Sequence, residues 1–96
     1  MNKIAVVILN WNGSEMLRTF LPSVIEHSAA DGGVEICVAD NASTDDSVAL
    51  LETAFPSVRI IRLEKNYGFA DGYNFALQQV EAEYVVLLNS DVAVEP

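Results

Sequence analysis

Apolar runs of strand length alternate with segments of helical spacing along this chain. That alternation predicts an α/β protein, a parallel sheet of four strands with three helices between them. Two further observations point the same way. Ile4–Leu9 and Tyr84–Leu88 are apolar throughout, as in strands buried on both faces. Polar residues gather directly after the strand-like runs, at Asn10-Trp11-Asn12, Asp40–Asp45, Glu64-Lys65-Asn66 and Asn89-Ser90-Asp91. Those are the carboxyl ends at which open parallel sheets bind ligands.

The first strand is expected over Ile4–Asn10, broken by Asn12-Gly13-Ser14, with Ser14 as the N-cap of the first helix. Met16, Leu17, Phe20, Leu21, Val24 and Ile25 carry that helix to about Ser28. Pro22 lies inside it and predicts a kink or a restart. Asp31-Gly32-Gly33 reads as a turn and Glu35–Ala39 as the second strand. Ser43 with Asp46 three residues on has the form of a capping box, opening a helix that runs to Phe55 and is stopped by Pro56. Val58–Leu63 alternates enough to be a less buried strand near an edge. Asn66-Tyr67-Gly68 turns the chain, Phe69 to about Val80 is helical despite Gly72, and Tyr84–Asn89 is the fourth strand. A strand as apolar as this last one is built to be covered and paired, so ending on it would leave an open apolar edge. The 96 residues are therefore expected to be the first part of a longer domain.

Composition excludes several classes. Five Lys and Arg against 14 Asp and Glu give a net charge of −9, which disfavours a nucleic-acid backbone as partner. With 51% hydrophobic residues the chain is not disordered, and at this size folding buries roughly two-thirds of the unfolded surface. No apolar run is long enough to span a bilayer. The lone Cys37 excludes an intrachain disulfide and a cysteine-built metal site. A soluble cytoplasmic protein is the expectation.

The five glycines form neither G-x-G-x-x-G nor G-x-x-x-x-G-K-[ST], which disfavours a dinucleotide fingerprint and a P-loop. His27, the single histidine, falls near the end of the first helix and pairs with no nucleophile. The basic residues Lys3, Arg18, Arg59, Arg62 and Lys65 are scattered, whereas carboxylates dominate the strand ends. Acidic side chains beside a phosphorylated ligand make sense with a divalent cation between them, Mg2+ or Mn2+, both of which take oxygen ligands. Asp91, just past a buried strand, is the best-placed ligand for it. A receiver-like domain shares the alternating pattern, but Asn10-Trp11-Asn12 and Glu64-Lys65-Asn66 occupy the places where its acidic residues belong.

Four segments, taken together, resemble the family-2 glycosyltransferases of the GT-A fold, and most of all their rhamnosyltransferase-like bacterial branch. They are Val7–Gly13, Val38–Asp45, Asn66–Asn74 and Leu87–Asp91, in the expected order and spacing. The resemblance implies a Rossmann-like nucleotide-binding half with strand order 3-2-1-4, placing Trp11 and Asp91 on either side of the switch point. Trp11 falls where the family keeps an aromatic beside the nucleobase, and a ring face suits stacking. Asp40 matches the aspartate that accepts the imide N–H of uracil or thymine. Asn89-Ser90-Asp91 aligns with the D-x-D element, whose last aspartate holds the metal that bridges the donor's two phosphates. Asn89 replaces the first aspartate and implies ribose contact through an amide. Asn10, Asn12, Asn66, Gly72 and Asn74 complete the implied nucleotide-sugar-binding set, the last three bordering the donor pocket. Asp45 reads mainly as a cap that stiffens the loop carrying Asp40.

The implied reaction is inverting transfer from a UDP- or dTDP-sugar to a hydroxyl of a glycan or lipid-linked acceptor. Its general base belongs beyond Pro96, with the acceptor-binding half, so the fragment by itself is expected to be inactive. In the longer protein, a peripheral position at the inner face of the membrane is compatible with this chemistry. The competing expectation is a non-catalytic nucleotide-binding module that forms a homodimer through the open edge of the fourth strand.

Overall fold

In the computed structural model, residues 2–31 and 33–89 are described. Their order is β1 (Asn2–Asn10), α1 (Ser14–Asp31), β2 (Val34–Asp40), α2 (Ser47–Ala54), β3 (Arg59–Arg62), α3 (Phe69–Leu77) and β4 (Ala82–Asn89). The strands form one sheet in the order β3-β2-β1-β4. Every pairing is parallel. The chain first winds outward through β2 and β3, then returns through α3 to the far side of β1. The switch point therefore lies between β1 and β4.

Period-two alternation along the central strands divides the core between two faces. Val6 and Ile8 of β1 and Ile36 and Val38 of β2 pack with Leu17 and Leu21 of α1 and with Leu50 and Leu51 of α2. On the opposite face Val7, Leu9, Cys37 and Ala39 pack with Tyr73 and Ala76 of α3. This double cover is why Ile4–Leu9 shows no polar alternation: each of its faces meets a helix. Ile8, Leu17, Leu21 and Leu51 are fully buried, and each such side chain contributes on the order of 1.5–3 kcal/mol. Burial pushes the Cys37 thiol up to about 11, aided by the Glu35 carboxylate and opposed by Arg59.

Several local expectations are corrected. The first helix runs through Pro22 without a restart, because Leu17 and Leu21 fix it to the sheet while Pro22 itself faces solvent. It also continues to Asp31, where a turn was expected. Ser14 is the first residue of α1 rather than its cap, and the first helical bond runs from Leu17 N–H to the Gly13 carbonyl at 2.9 Å. The capping box of Ser43 and Asp46 does not form. Asp46 caps α2 without a side-chain bond, and Ser43 is turned back onto Asp40 by a left-handed residue between them, Ala42 at φ +62°. α3 ends at Leu77, short of Val80, and β3 spans only Arg59–Arg62.

β3 is an edge strand, as its partial alternation suggested. β4 forms the other edge and pairs with β1 alone among the described residues. Tyr84 to Leu88 are between 36% and 63% exposed, so this apolar strand is bare along much of its length.

Candidate functional site

The site is assembled where β1 and β2 end. Their parallel register sets Asn10 beside Asp40 as Cα partners, so the two side chains leave the same face of the sheet together. Both are buried, Asn10 completely and Asp40 to 3% exposure. A carboxylate so placed must be hydrogen-bonded. Asp40 Oδ1 accepts from Asn10 Nδ2 at 3.0 Å and from the Ser43 hydroxyl at 2.7 Å, and Oδ2 accepts from the Ser43 backbone N–H at 2.9 Å. The strand ends are also joined by the backbone, Asn41 N–H to the Asn10 carbonyl at 2.8 Å and Leu63 N–H to the Asp40 carbonyl at 2.9 Å.

Asn12 closes the loop that follows Asp40. It occupies the left-handed region at φ +52°, which Asn tolerates better than most residues. From there its Oδ1 accepts the Thr44 N–H at 2.7 Å and the Asp45 N–H at 3.1 Å. Its own N–H donates to the Ser43 hydroxyl at 2.9 Å. Asp45 then bonds two helix starts, accepting the Ser14 N–H at 3.2 Å and the Ser47 N–H at 2.9 Å. Its partial burial opposes the charged form, but these bonds from Ser47 and Ser14 outweigh that and hold its carboxyl below 3.8. Asp45 is thus the stiffening cap expected of it, acting on both α1 and α2.

Trp11 follows Asn10 directly at the end of β1 and is 45% exposed. On the other side of Asp40, Asn41 ties the loop to the start of α3. It donates to the Gly68 carbonyl at 3.1 Å and accepts the Tyr67 N–H at 3.2 Å. Sequence inspection passed over Asn41, although it is 2% exposed and central to this rim; only the tertiary pairing with residues 67 and 68 distinguishes it from an ordinary loop asparagine. Asn66 bonds within its own turn, its Oδ1 accepting the Gly68 N–H at 2.8 Å. Gly72 is buried where α3 crosses the sheet. A Cβ there would meet Asn41 Nδ2 at 2.9 Å and Leu9 Cδ1 at 3.0 Å, so its smallness serves close packing against β1. Asn74, two residues on, is exposed.

The structure therefore brings Asn10, Trp11, Asn12 and Asp40 to one place, with Gly72 behind them and Asn66 and Asn74 along α3 and the turn before it. The Asn89 backbone lies beside Leu9 at the switch point. The Asn89 side chain and Ser90-Asp91, which carry the metal expectation, lie outside the described residues. Among the described residues, no three His, Cys, Asp or Glu side chains come together in a group that could hold a metal ion. No helix among them is long and apolar enough to cross a membrane.

Comparisons with known proteins agree with this architecture. The family model described as Glycosyl transferase family 2 matches residues 5–96. The teichoic acid poly(glycerol phosphate) polymerase of Staphylococcus epidermidis is 30% identical over 95 residues, covering 95% of this chain and 13% of that protein. The S. aureus TarS crystal structure in complex with UDP superimposes with a TM-score of 0.80 at 27% identity, covering 93% of this chain and 27% of TarS 1-349. A Pyrobaculum calidifontis mannosyltransferase bound to GDP-Man and Mn2+ shares the fold, with a TM-score of 0.78 at 22% identity over 94% of this chain and 28% of that one. The chain thus spans between about an eighth and a little over a third of the relatives it matches. Sheet order, the family match across nearly every residue and the TarS superposition together make this chain a member of glycosyl transferase family 2 with the GT-A fold.

Proposed function

We propose that the chain is the donor-binding portion of an inverting glycosyltransferase that takes its sugar from a UDP- or dTDP-sugar. The observation that carries this is the position of exposed Trp11 directly after Asn10, the β1 partner of Asp40, whose buried carboxylate is held by three hydrogen bonds at the end of β2. Trp11 stacks on the base and Asp40 accepts its imide N–H. Asn10 and Asn12 take part by holding Asp40 and its loop, and Asn66, Gly72 and Asn74 border the pocket. Support comes from the TarS structures determined with UDP and with UDP-GlcNAc.

Asn89 contacts the ribose in this proposal, and Asp91 holds a divalent cation, Mg2+ or Mn2+, against the donor's diphosphate. When bound, such an ion would offset the charge that develops on the leaving diphosphate. Deprotonation of the acceptor hydroxyl requires a general base. None of the residues assigned here fills that role, which the family resemblance puts beyond Pro96 along with the glycan or lipid-linked acceptor.

Titration of UDP and dTDP into the purified chain, with and without Mn2+ and followed by NMR shifts, tests the proposal. Binding that Mn2+ strengthens, and that Asp40→Ala and Asp91→Ala each abolish, is expected. Absence of binding at millimolar nucleotide would refute it. Intrinsic sugar transfer by the 96 residues would refute the separate proposal that the base lies outside them. A second reading rests on the bare apolar strand β4, through which two copies would pair as a homodimer. A sedimentation profile that stays monomeric at high concentration would remove it.

A further inference from the structure

We infer that Asn10 and Ser43 set the base preference of this site, by leaving Asp40 a single acceptor position that suits uracil or thymine and not guanine. The inference rests on the proposed contact between Asp40 and the nucleobase. A carboxylate offers about four acceptor positions, two on each oxygen. At Asp40, Oδ1 has both filled, by Asn10 Nδ2 at 3.0 Å and the Ser43 hydroxyl at 2.7 Å. Oδ2 has one filled, by the Ser43 N–H at 2.9 Å. One position remains, on Oδ2, and the 3% exposure of Asp40 agrees with so narrow an opening.

The donors on Oδ1 are fixed. Asn10 has no exposed surface, and its amide also donates to the Ser43 hydroxyl at 3.3 Å, so burial and this second bond hold it beside Asp40. The Ser43 oxygen accepts from Asn12 N–H at 2.9 Å and from Asn10 Nδ2 at 3.3 Å, which turns its own proton toward Asp40. Uracil and thymine present one N–H flanked by two carbonyls, and one acceptor satisfies it. Guanine presents a ring N–H and an amino group side by side, which together need both oxygens of a carboxylate. Here one of those donors would be desolvated with no partner, a loss equivalent to about tenfold or more in affinity. Asn10 and Ser43 are therefore positioning residues that act on specificity through Asp40.

The test is the ratio of GDP to UDP dissociation constants, measured by NMR titration of the whole chain. The wild type should prefer UDP by about tenfold or more. Ser43→Ala and Asn10→Ala each open a position on Oδ1 and should shrink that ratio by about threefold or more. Asn12→Gly keeps the left-handed backbone while loosening the loop, so it should weaken both nucleotides together and leave the ratio unchanged. Equal affinities in the wild type, or an unchanged ratio in the folded Ser43 and Asn10 variants, would overturn the inference and leave the donor site standing. Ser43→Cys, close to Ser43 in size and a weaker donor to Oδ1, carries the same test if the alanine variants do not fold, and an unchanged ratio there overturns the inference equally. Failure of the wild type to bind either nucleotide would overturn the donor site and the inference together.

Discussion

Replacing Gly72 by alanine should destabilise the protein, although alanine is the better helix former. In an exposed helix interior Gly→Ala would gain about 1 kcal/mol. Here the added Cβ falls 2.9 Å from Asn41 Nδ2 and 3.0 Å from Leu9 Cδ1. Overpacking of that kind costs about 1–3 kcal/mol. Leu9 Cδ1 ends a side chain that can shift, but the Asn41 amide is held between the Gly68 carbonyl and the Tyr67 N–H. Moving it loses at least one of those bonds, about 1 kcal/mol more. Taking about 2 for the overpacking and about 1 for the bond, less about 1 for helix propensity, the net loss is about 2 kcal/mol. In a domain of this size that lowers the midpoint of thermal unfolding by roughly 10 °C. Urea unfolding should show a lower midpoint at unchanged slope. Placing Gly72→Ala in an Asn41→Ala background should recover most of the loss, since the atom in the way is gone. A neutral or stabilising Gly72→Ala in the otherwise native chain would refute the close packing on which this rests.

Two pH dependences follow from buried and bonded groups. The Cys37 thiol is raised to about 11 in the folded chain, so its contribution is complete below the unfolded value of 9.0 and is lost as pH rises toward 11. Urea midpoints should fall between pH 8.5 and about 10.5 by more in the wild type than in Cys37→Ala, a comparison that cancels the titration of Tyr67 and Tyr73, both also raised. The Asp45 carboxyl is lowered below 3.8 in the folded state, so its contribution is present above that value and is lost as pH falls through the folded pKa. Asp45→Asn should be less stable than wild type at pH 7, and the difference should narrow in acid unfolding followed by circular dichroism. An equal difference at both pH values would show that the carboxylate charge is not what holds the starts of α1 and α2.

Much of the architecture is legible in local sequence. Ile4–Leu9 and Tyr84–Leu88 declare strands by continuous apolarity, and the 3–4 spacing from Met16 to Ile25 declares α1 even across Pro22, because packing of Leu17 and Leu21 outweighs one missing backbone bond. Trp11 and Asp40 stand out in the four motifs, and the structure puts Asp40 at the end of β2 and Trp11 directly after the end of β1.

The hydrogen bonding of the site is a different matter. Ser43 and Asp46 have the spacing of a capping box, yet Ser43 bonds Asp40, because the left-handed turn at Ala42 brings it back to the buried carboxylate, and an unbonded charge there would cost far more than a missing cap. The Asn10–Asp40, Asn12–Thr44 and Asn41–Gly68 bonds join residues about 30 positions apart. Local propensity carries no record of such pairs. The sequence by itself determined the number and order of strands and helices and the polar residues at the strand ends, since periodicity and residue type act over a few positions. Only the tertiary structure decided how the donors divide between the two oxygens of Asp40 and which glycine has no room for a side chain. Those follow from parallel register and from the crossing of α3 over β1, where distant segments first come within hydrogen-bonding reach.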